Sequence, residues 1–431
     1  MTRESSEKLI ELERPPITER GILARLVLPG DSDDEVEESL AEMGRLMWTA
    51  GADVVCTFVQ RRDKPCPATL LGAGKIGQIH AACEETEADL VVFDSDLTPT
   101  QGSKLQELLG VKVVDRTQLI LDIFAQHAHT SEGRRQVELA QLQYLLPRLA
   151  GRGAVMRQQG GIGIRGPGEQ KLEVDRRRIR KRIDRLNAGL ETIRRRRGIQ
   201  RKRRSEGAVG RVALVGYTNA GKSSLLNALA AADVFVEDKL FATLDPRSRR
   251  CALPSGRVAV MSDTVGFIRK LPHSLVAAFR ATLEEINEAD VLLLVADAAH
   301  PAVEEHIRAV YEVLDEIDVE HKPLIKVFNK TDIADPATVA QLVRGKGAAV
   351  AVSARTGDGL DGLRGAVDDE LVPKRRRVQL RIPQGQAGVV ARVYAGGRVL
   401  RQEYDGNAIL LDAEIDAETG RIVEAFIVCT P

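Results

Sequence analysis

Gly216-Tyr-Thr-Asn-Ala-Gly-Lys-Ser223 decides how the middle of this 431-residue chain folds. The eight residues fit the pattern G-x-x-x-x-G-K-[ST]. The apolar run Val212–Val215 precedes them and the helix-forming Ser224–Ala230 follows. A strand that turns directly into a helix aims backbone N–H groups and the positive end of a helix dipole at one point, and phosphate suits that point. Gly216 and Gly221 let the backbone wrap an anion, with Tyr217, Thr218, Asn219 and Ala220 completing the loop and Ser224 opening the helix. Lys222 can reach outer phosphates, and the Ser223 hydroxyl can hold magnesium.

Further signals follow downstream, each after a short apolar run. Val258–Met261 leads to Asp263-Thr-Val-Gly266, which places a carboxylate for magnesium and a glycine amide for a terminal phosphate. Leu324–Phe328 leads to Asn329-Lys330-Thr-Asp332. An Asn and an Asp at that spacing can read a purine edge, with Asp332 accepting from the exocyclic amino group that guanine has and adenine lacks. Ala349–Val352 leads to Ser353-Ala354-Arg355, which can offer backbone contacts to the base. In this order, with Val291–Val295 as a further strand, the pattern is an α/β domain that binds a guanine nucleotide at the carboxyl ends of its strands. The expected ligands are GTP or GDP with Mg2+.

Ahead of this domain, Ile22–Leu28, Val54–Val59, Leu90–Phe93 and Val111–Val114 read as strands. Helical stretches at Asp33–Ala50, Gly77–Glu87 and Gln101–Leu109 alternate with them, giving a small α/β unit with a mainly parallel sheet that ends near His129. Next, Val137, Leu139, Leu142, Leu145, Leu146 and Leu149 fit one helix face, which Pro147 should end or kink. Leu172, Ile179, Ile183, Leu186, Leu190 and Ile193 form a second, coiled-coil-like seam. Between the two, Gly160–Gly168 cannot continue a helix, so an antiparallel helical hairpin with a glycine-rich tip is expected. After the linker Pro373–Arg377 comes a small strand-rich α+β domain, with strands at Val378–Ile382, Ala408–Leu411 and Arg421–Val428 and a helix near Ala387–Tyr394. The expected segments are a tail (1–20), an N-terminal α/β subdomain (21–130), the basic hairpin (131–205), a nucleotide domain (206–372) and a C-terminal domain (373–431).

Charge sharpens the hairpin's meaning. The formal net charge of the whole chain is zero, yet residues 134–204 carry 22 Lys/Arg against 6 Asp/Glu. Arg176, Arg177, Arg178, Arg194, Arg195, Arg196 and Arg197 lie along the second helix, and Arg165 lies in the tip. A one-sign face suits phosphate, and aromatic residues at 3% are too few for stacking on single strands to dominate. Structured RNA is the expected partner. Five scattered cysteines without C-x-x-C fit reduced thiols. No apolar run is long enough to span a membrane and Met1–Pro16 lacks a secretory core, so a cytoplasmic monomer is expected.

With Gly161-Ile-Gly-Ile-Arg-Gly-Pro-Gly-Glu169 and the arginine helix ahead of the nucleotide signatures, the chain resembles the HflX family of ribosome-associated GTPases over roughly residues 20–372. The nucleotide domain resembles a translation-factor-class GTPase domain. The resemblance implies a P-loop GTPase whose partner is the 50S subunit and its rRNA, acting on stalled or stressed ribosomes by separating subunits. It also implies that Thr243, in Phe241-Ala-Thr-Leu-Asp-Pro246, is a switch threonine on magnesium, so that Lys222, Thr243 and Gly266 form the catalytic set. It leaves open an adenine nucleotide (ATP) in the first domain.

Phe267 stands where many GTPases carry a glutamine that orients the attacking water. A phenyl ring cannot do this, and a slow enzyme that a partner completes is the expectation. Gly72-Ala-Gly-Lys-Ile-Gly77, with Asp94 about 20 residues on, is a literal dinucleotide fingerprint, but a glycine-rich helix start explains it better. His127 and His129 read as helix-end residues. Two functions stay open at this point: a GTP-switched ribosome-splitting enzyme, or an RNA-remodelling or ribosome-assembly protein with a regulatory GTP site.

Overall fold

The computed structural model describes residues 19–157, 167–204, 210–230, 240–241, 247–269, 285–319, 321–345, 347–371, 376–415 and 417–429. Thr243 and residues 158–166 of the glycine-rich tip, Arg165 among them, lie outside the described residues, as do the side chains of Arg194, Arg196 and Arg197. Pro167 and Gly168, expected in the tip, instead open a helix, whose first turn tolerates proline. The described residues form two compact units. One runs to Ala252 and resumes over Val258–Leu363, and the other joins Leu253–Arg257 to Arg364 and beyond.

The first sheet is built from β1 (Glu19–Val27), β2 (Ala52–Arg61), β3 (Leu90–Phe93) and β4 (Lys112–Asp115). Its order is β2-β1-β3-β4, all parallel. α1 (Asp33–Ala50), α2 (Ala73–Thr86), α3 (Pro99–Leu109) and α4 (Arg116–His127) cover its faces. Local chemistry sets the helix ends. Ser32 and Glu35 form a reciprocal capping box at α1, Thr98 and Gln101 form another at α3, and Gly51 and Gly110 close those helices in the left-handed region. The sequence signals missed α4. Its polar stripe is thin, Gln118, Asp122 and Gln126, while the apolar residues from Leu119 to Phe124 are almost wholly buried and make a short run that reads as readily as a buried strand.

α5 (Ser131–Arg157) and α6 (Pro167–Arg204) pair antiparallel: Arg182 donates to both carboxylate oxygens of Glu138 at 2.7 Å, while Leu139 packs with Leu186 and Leu190. The face expected of α5 is in fact two. Val137 and Ala140 enter the core under the first sheet, Leu139 and Leu142 face α6, and Leu145 is exposed. Nor does Pro147 end the helix, which continues to Arg157. Arg148, the next residue, ties the helix down by donating to Leu97 O and to Asp115 Oδ2, each at 2.8 Å.

The second sheet has β5 (Gly210–Gly216), β6 (Arg247–Ala252), β7 (Val258–Asp263), β8 (Val291–Asp297), β9 (Leu324–Asn329) and β10 (Ala349–Ala351), in the order β10-β9-β8-β5-β7-β6. It is parallel except for β6, an antiparallel edge. Arg-Ser-Arg-Arg-Cys-Ala in β6 has no apolar run to announce it, and charge on an edge strand discourages pairing with other chains. The helices of this part include α7 (Lys222–Leu229), α8 (Val303–Glu316) and α9 (Pro336–Val343), and α10 (Leu360–Leu371) leads on into the second unit. The two sheets share a core. Met43, Phe124 and Val137 from the first part cluster with Tyr217, Phe241, Val265 and Ile268 from the second, and the Phe124 and Phe241 rings meet edge-on at 4.7 Å.

The second compact unit carries an antiparallel sheet ordered β12-β13-β11-β14, from β11 (Arg376–Pro383), β12 (Gly397–Asp405), β13 (Ala408–Ile415) and β14 (Ile427–Cys429). α11 (Ala387–Gly396) covers it. The strand expected over Arg421–Val428 is corrected. α12 (Ala417–Ile422) and a 3-10 turn at Glu424–Phe426 take up most of that span, because Val423 N–H closes a helical bond on Thr419 O, and only Ile427–Cys429 pairs with β11.

Candidate functional site

The carboxyl ends of β5, β7, β9 and β10 bring the sequence-predicted residues together. In the loop after β5, Asn219 and Gly221 take left-handed φ values of 60° and 86°. This turns successive N–H groups toward one side, an anion-binding concavity. A Cβ on Gly221 would lie 2.3 Å from Asn329 Nδ2, so only glycine fits beneath that amide. The N-cap of α7 is Gly221, which brings no side chain to compete with a ligand at the helix start.

Lys222 is buried and donates to its own loop, to Gly216 O at 3.0 Å and Tyr217 O at 2.9 Å. Burial pulls its amine down to about 8, with Asp263 opposing. A phosphate would offer this amine a charged acceptor. Ser223 Oγ donates to Asp263 Oδ2 at 2.5 Å. A hydroxyl and a carboxylate, converging beside the loop, are the hard oxygen donors that Mg2+ selects. A Cβ on Gly266 would lie 2.8 Å from Thr218 Cα and 3.1 Å from Lys222 Nζ, which places the Gly266 backbone against the phosphate loop.

The base-reading residues form one network. Asn329 Nδ2 donates to Ala220 O, and Ala354 N–H donates to Asn329 Oδ1, both at 3.0 Å. Asn329 thereby ties the phosphate loop to the loop after β10. Asp332 Oδ1 accepts from Ser353 Oγ at 2.8 Å, which orients its carboxylate. Lys330 pairs with Asp297 at 2.8 Å, a partner at the end of β8 that the motifs did not nominate. A signal was available, since Asp297 lies two residues past the apolar run Val291–Val295, at the carboxyl end of a strand. Arg355 is largely exposed, with Nη1 4.0 Å from Asp332 Oδ2.

Two residues lie otherwise than their motif positions suggest. The Tyr217 side chain turns away from the loop, buried between the Glu42 carboxylate, to which its hydroxyl donates, and the His306 ring, stacked on it at 3.8 Å. Burial and Glu42 hold its phenol far above the ordinary range. Phe267 is 2% exposed and packs with Ala213, Val215, Leu294 and Phe328. Its N–H donates to Gly216 O at 3.0 Å and its carbonyl accepts from Thr218 N–H at 2.8 Å. The ring therefore points into the core and not toward a water at the phosphate end.

Residues 37–125 match the family described as GTP-binding GTPase N-terminal, 127–204 its middle region, and 211–330 the 50S ribosome-binding GTPase family. GTPase HflX of Caldanaerobacter subterraneus subsp. tengcongensis is 45% identical over 411 residues, covering 95% of this chain and 94% of the relative. The chain belongs to the GTPase HflX family. The HflX of Escherichia coli K12 is 42% identical over 397 residues, covering 91% of this chain and 92% of that one. A GDP-bound GTP-binding protein from Sulfolobus solfataricus is 26% identical over 81% of this chain and 98% of its own, at a TM-score of 0.43. As an HflX-family member, this chain is a GTPase that hydrolyses GTP.

The fingerprint at Gly72–Gly77 resolves into a helix start, since Gly72 caps α2. Both Asp94 oxygens are engaged, by Arg25, Ser39 Oγ at 2.6 Å and Arg116 at 2.8 Å, so Asp94 is no ribose acceptor. His127 is the last residue of α4. On α6, Arg176 and Arg178 have acidic neighbours three residues back and Arg195 pairs with Glu191, while Arg177 is exposed. No described helix is long and apolar enough to cross a membrane.

Proposed function

We propose that this chain is a ribosome-directed GTPase, slow alone and accelerated by the large subunit, that couples its nucleotide state to rescue or splitting of stalled ribosomes. Phe267 carries the reading. The position that would hold a water-orienting group holds a buried ring locked by two backbone bonds, so Phe267 cannot serve that role and a partner is to supply it.

In this reading Lys222 and N–H groups of the Gly216–Ser224 loop other than that of Thr218 bind the phosphates, and the Gly266 amide meets the terminal one. Ser223 and Asp263, joined by Thr243, would hold Mg2+, which when bound neutralises charge on the phosphate oxygens. Asp332 selects guanine, Asn329 holds the base loop against the phosphate loop, and Ser353, Ala354 and Arg355 flank the base. The arginines of α6, with Arg165 at the tip, contact rRNA phosphates. Residues 21–130, 131–205, 206–372 and 373–431 act as the sheet, arm, nucleotide and C-terminal parts, in a cytoplasmic monomer that associates with ribosomes.

GTP turnover measured with and without purified 50S, 30S and 70S particles tests the proposal. Stimulation by 50S, with 70S particles falling into subunits, is expected. Unstimulated turnover together with RNA unwinding in the absence of ribosomes would replace it with the RNA-remodelling reading.

A further inference from the structure

A closed ring of polar groups joins the first sheet to the nucleotide site. Arg116, at the start of α4, has a side chain only 4% exposed. Its Nη1 donates to Asp94, and its Nη2 donates to Glu42 and, at 3.0 Å, to the carbonyl of Arg269. Glu42 also accepts from the Tyr217 hydroxyl, and that hydroxyl accepts from Arg269 N–H at 2.9 Å. The backbone of Arg269 is thus gripped on both sides, at its N–H by the phosphate loop's tyrosine and at its carbonyl by an arginine 153 residues earlier in the chain.

Arg269 is three residues past Gly266. On the near side, Phe267 N–H and C=O already fix this segment to Gly216 and Thr218. The grip on Arg269 fixes the far side, and Gly266 is held against Thr218 and Lys222 by the whole arrangement. The neighbouring trio Glu38, His300 and His306 does not offer a competing explanation as a cation site. Ala302 N–H donates to His300 Nδ1 at 3.1 Å, leaving the ring proton on Nε2, and Arg45 already holds the same Glu38 oxygen at 3.0 Å.

We infer that Arg116 and the Tyr217 hydroxyl are positioning groups for the terminal phosphate of GTP, acting through the Arg269 backbone on Gly266. The inference rests on the reading above that the Gly266 amide meets that phosphate. GDP lacks the phosphate, so loosening the grip weakens GTP and leaves GDP alone. A group that only supported the fold would move both nucleotides together.

The test is equilibrium binding of GDP and of a non-hydrolysable GTP analogue to Tyr217→Phe and Arg116→Lys. The first removes one hydroxyl and keeps the stack on His306. The second keeps the positive charge near Glu42 and Asp94 but loses the planar fork that serves three acceptors at once. Each variant is expected to weaken the analogue about five- to tenfold, the scale of one missing hydrogen bond, with GDP unchanged within about twofold. Gly266→Ala separates the two failures. If it collapses the GTP preference while Tyr217→Phe and Arg116→Lys leave it intact, the positioning role is wrong. If Gly266→Ala also leaves the preference intact, the reading of Gly266 is wrong and the inference falls with it. Should Arg116→Lys not fold, Tyr217→Phe alone decides.

Discussion

Ser223 and Asp263, 40 residues apart in sequence, meet with Oγ 2.5 Å from Oδ2. The contact joins the start of α7 to the end of β7, neighbours only because β5 and β7 run parallel side by side. A hydroxyl held against a carboxylate is prepared for a hard cation, and it need not reorganise to bind one. Ser223→Ala should therefore leave the fold unchanged and remove most of the magnesium dependence of GTP binding, with a loss of about tenfold or more. GTP titrations with and without magnesium, beside a thermal melt, check it. The same affinity gain from magnesium in the variant would misplace the ion.

Asp332 is oriented by Ser353 Oγ, and Arg355 Nη1 lies 4.0 Å from its other oxygen. Asp332→Asn should cost GTP binding about ten- to a hundredfold, the worth of a charge-assisted bond, and should gain affinity for xanthosine triphosphate. Competition titration with GTP, ATP and the xanthine nucleotide reads this directly. Equal binding of GTP and ATP by the unaltered protein would remove Asp332 from the base site.

Phe267→Gln looks at first like restoration of a water-orienting group. Because the ring points into the core beside Phe328 and Leu294, the glutamine would be buried there instead. The expected result is no increase in intrinsic turnover and a loss of about 2–4 kcal/mol of stability from cavity and unpaired amide together. Single-turnover hydrolysis and chemical denaturation are the measurements, and a faster variant would contradict the placement of the ring.

The arginines of α6 make a salt-dependence prediction. Replacing Arg194–Arg197 with glutamine should weaken 50S binding and flatten its log–log salt slope by roughly 0.7–0.9 for each phosphate that is no longer neutralised. Pelleting across a salt series decides, and an unchanged slope would leave these residues without a phosphate role.

His306 is buried against Tyr217, and burial, with His300, Arg45 and Arg269 nearby, pulls its imidazole down to about 3. In the unfolded chain the ring protonates near 6.5, so between about pH 6.5 and 3 the unfolded state binds the extra proton. Its contribution is therefore present above about 6.5 and is lost progressively on acidification. His306→Phe keeps an aromatic stack without the titration. Denaturation midpoints at pH 7 and pH 5 should diverge less in this variant than in the parent protein.

The nucleotide half was legible because its motifs sit at strand ends, where backbone geometry and ligand chemistry demand the same residues. Val212–Val215 and Asn329–Asp332 announce themselves this way. What escaped reading lacked local contrast. β6 is half arginine, and the buried stretch of α4 is apolar but for Asp122. The apolar spacing of α5 could not reveal that Val137 and Leu139 serve different neighbours. Least legible was the ring through Arg116, Glu42, Tyr217 and Arg269. Its members come from four separate segments, and no spacing along the chain records that they meet.

Pro147 changes what kind of mechanical element the hairpin is. The residue supplies no N–H, so one rung of α5 is missing at that turn, and such turns are where long helices bend most readily. Arg148, next to it, is bolted to Leu97 O and Asp115. The compliant joint and the rigid mount are therefore adjacent, like a beam hinged at the wall that carries it. A sideways load on the outer half of α5 meets the Arg148 mount before it reaches Pro147, and is handed to Asp115 at the end of β4, the residue before Arg116.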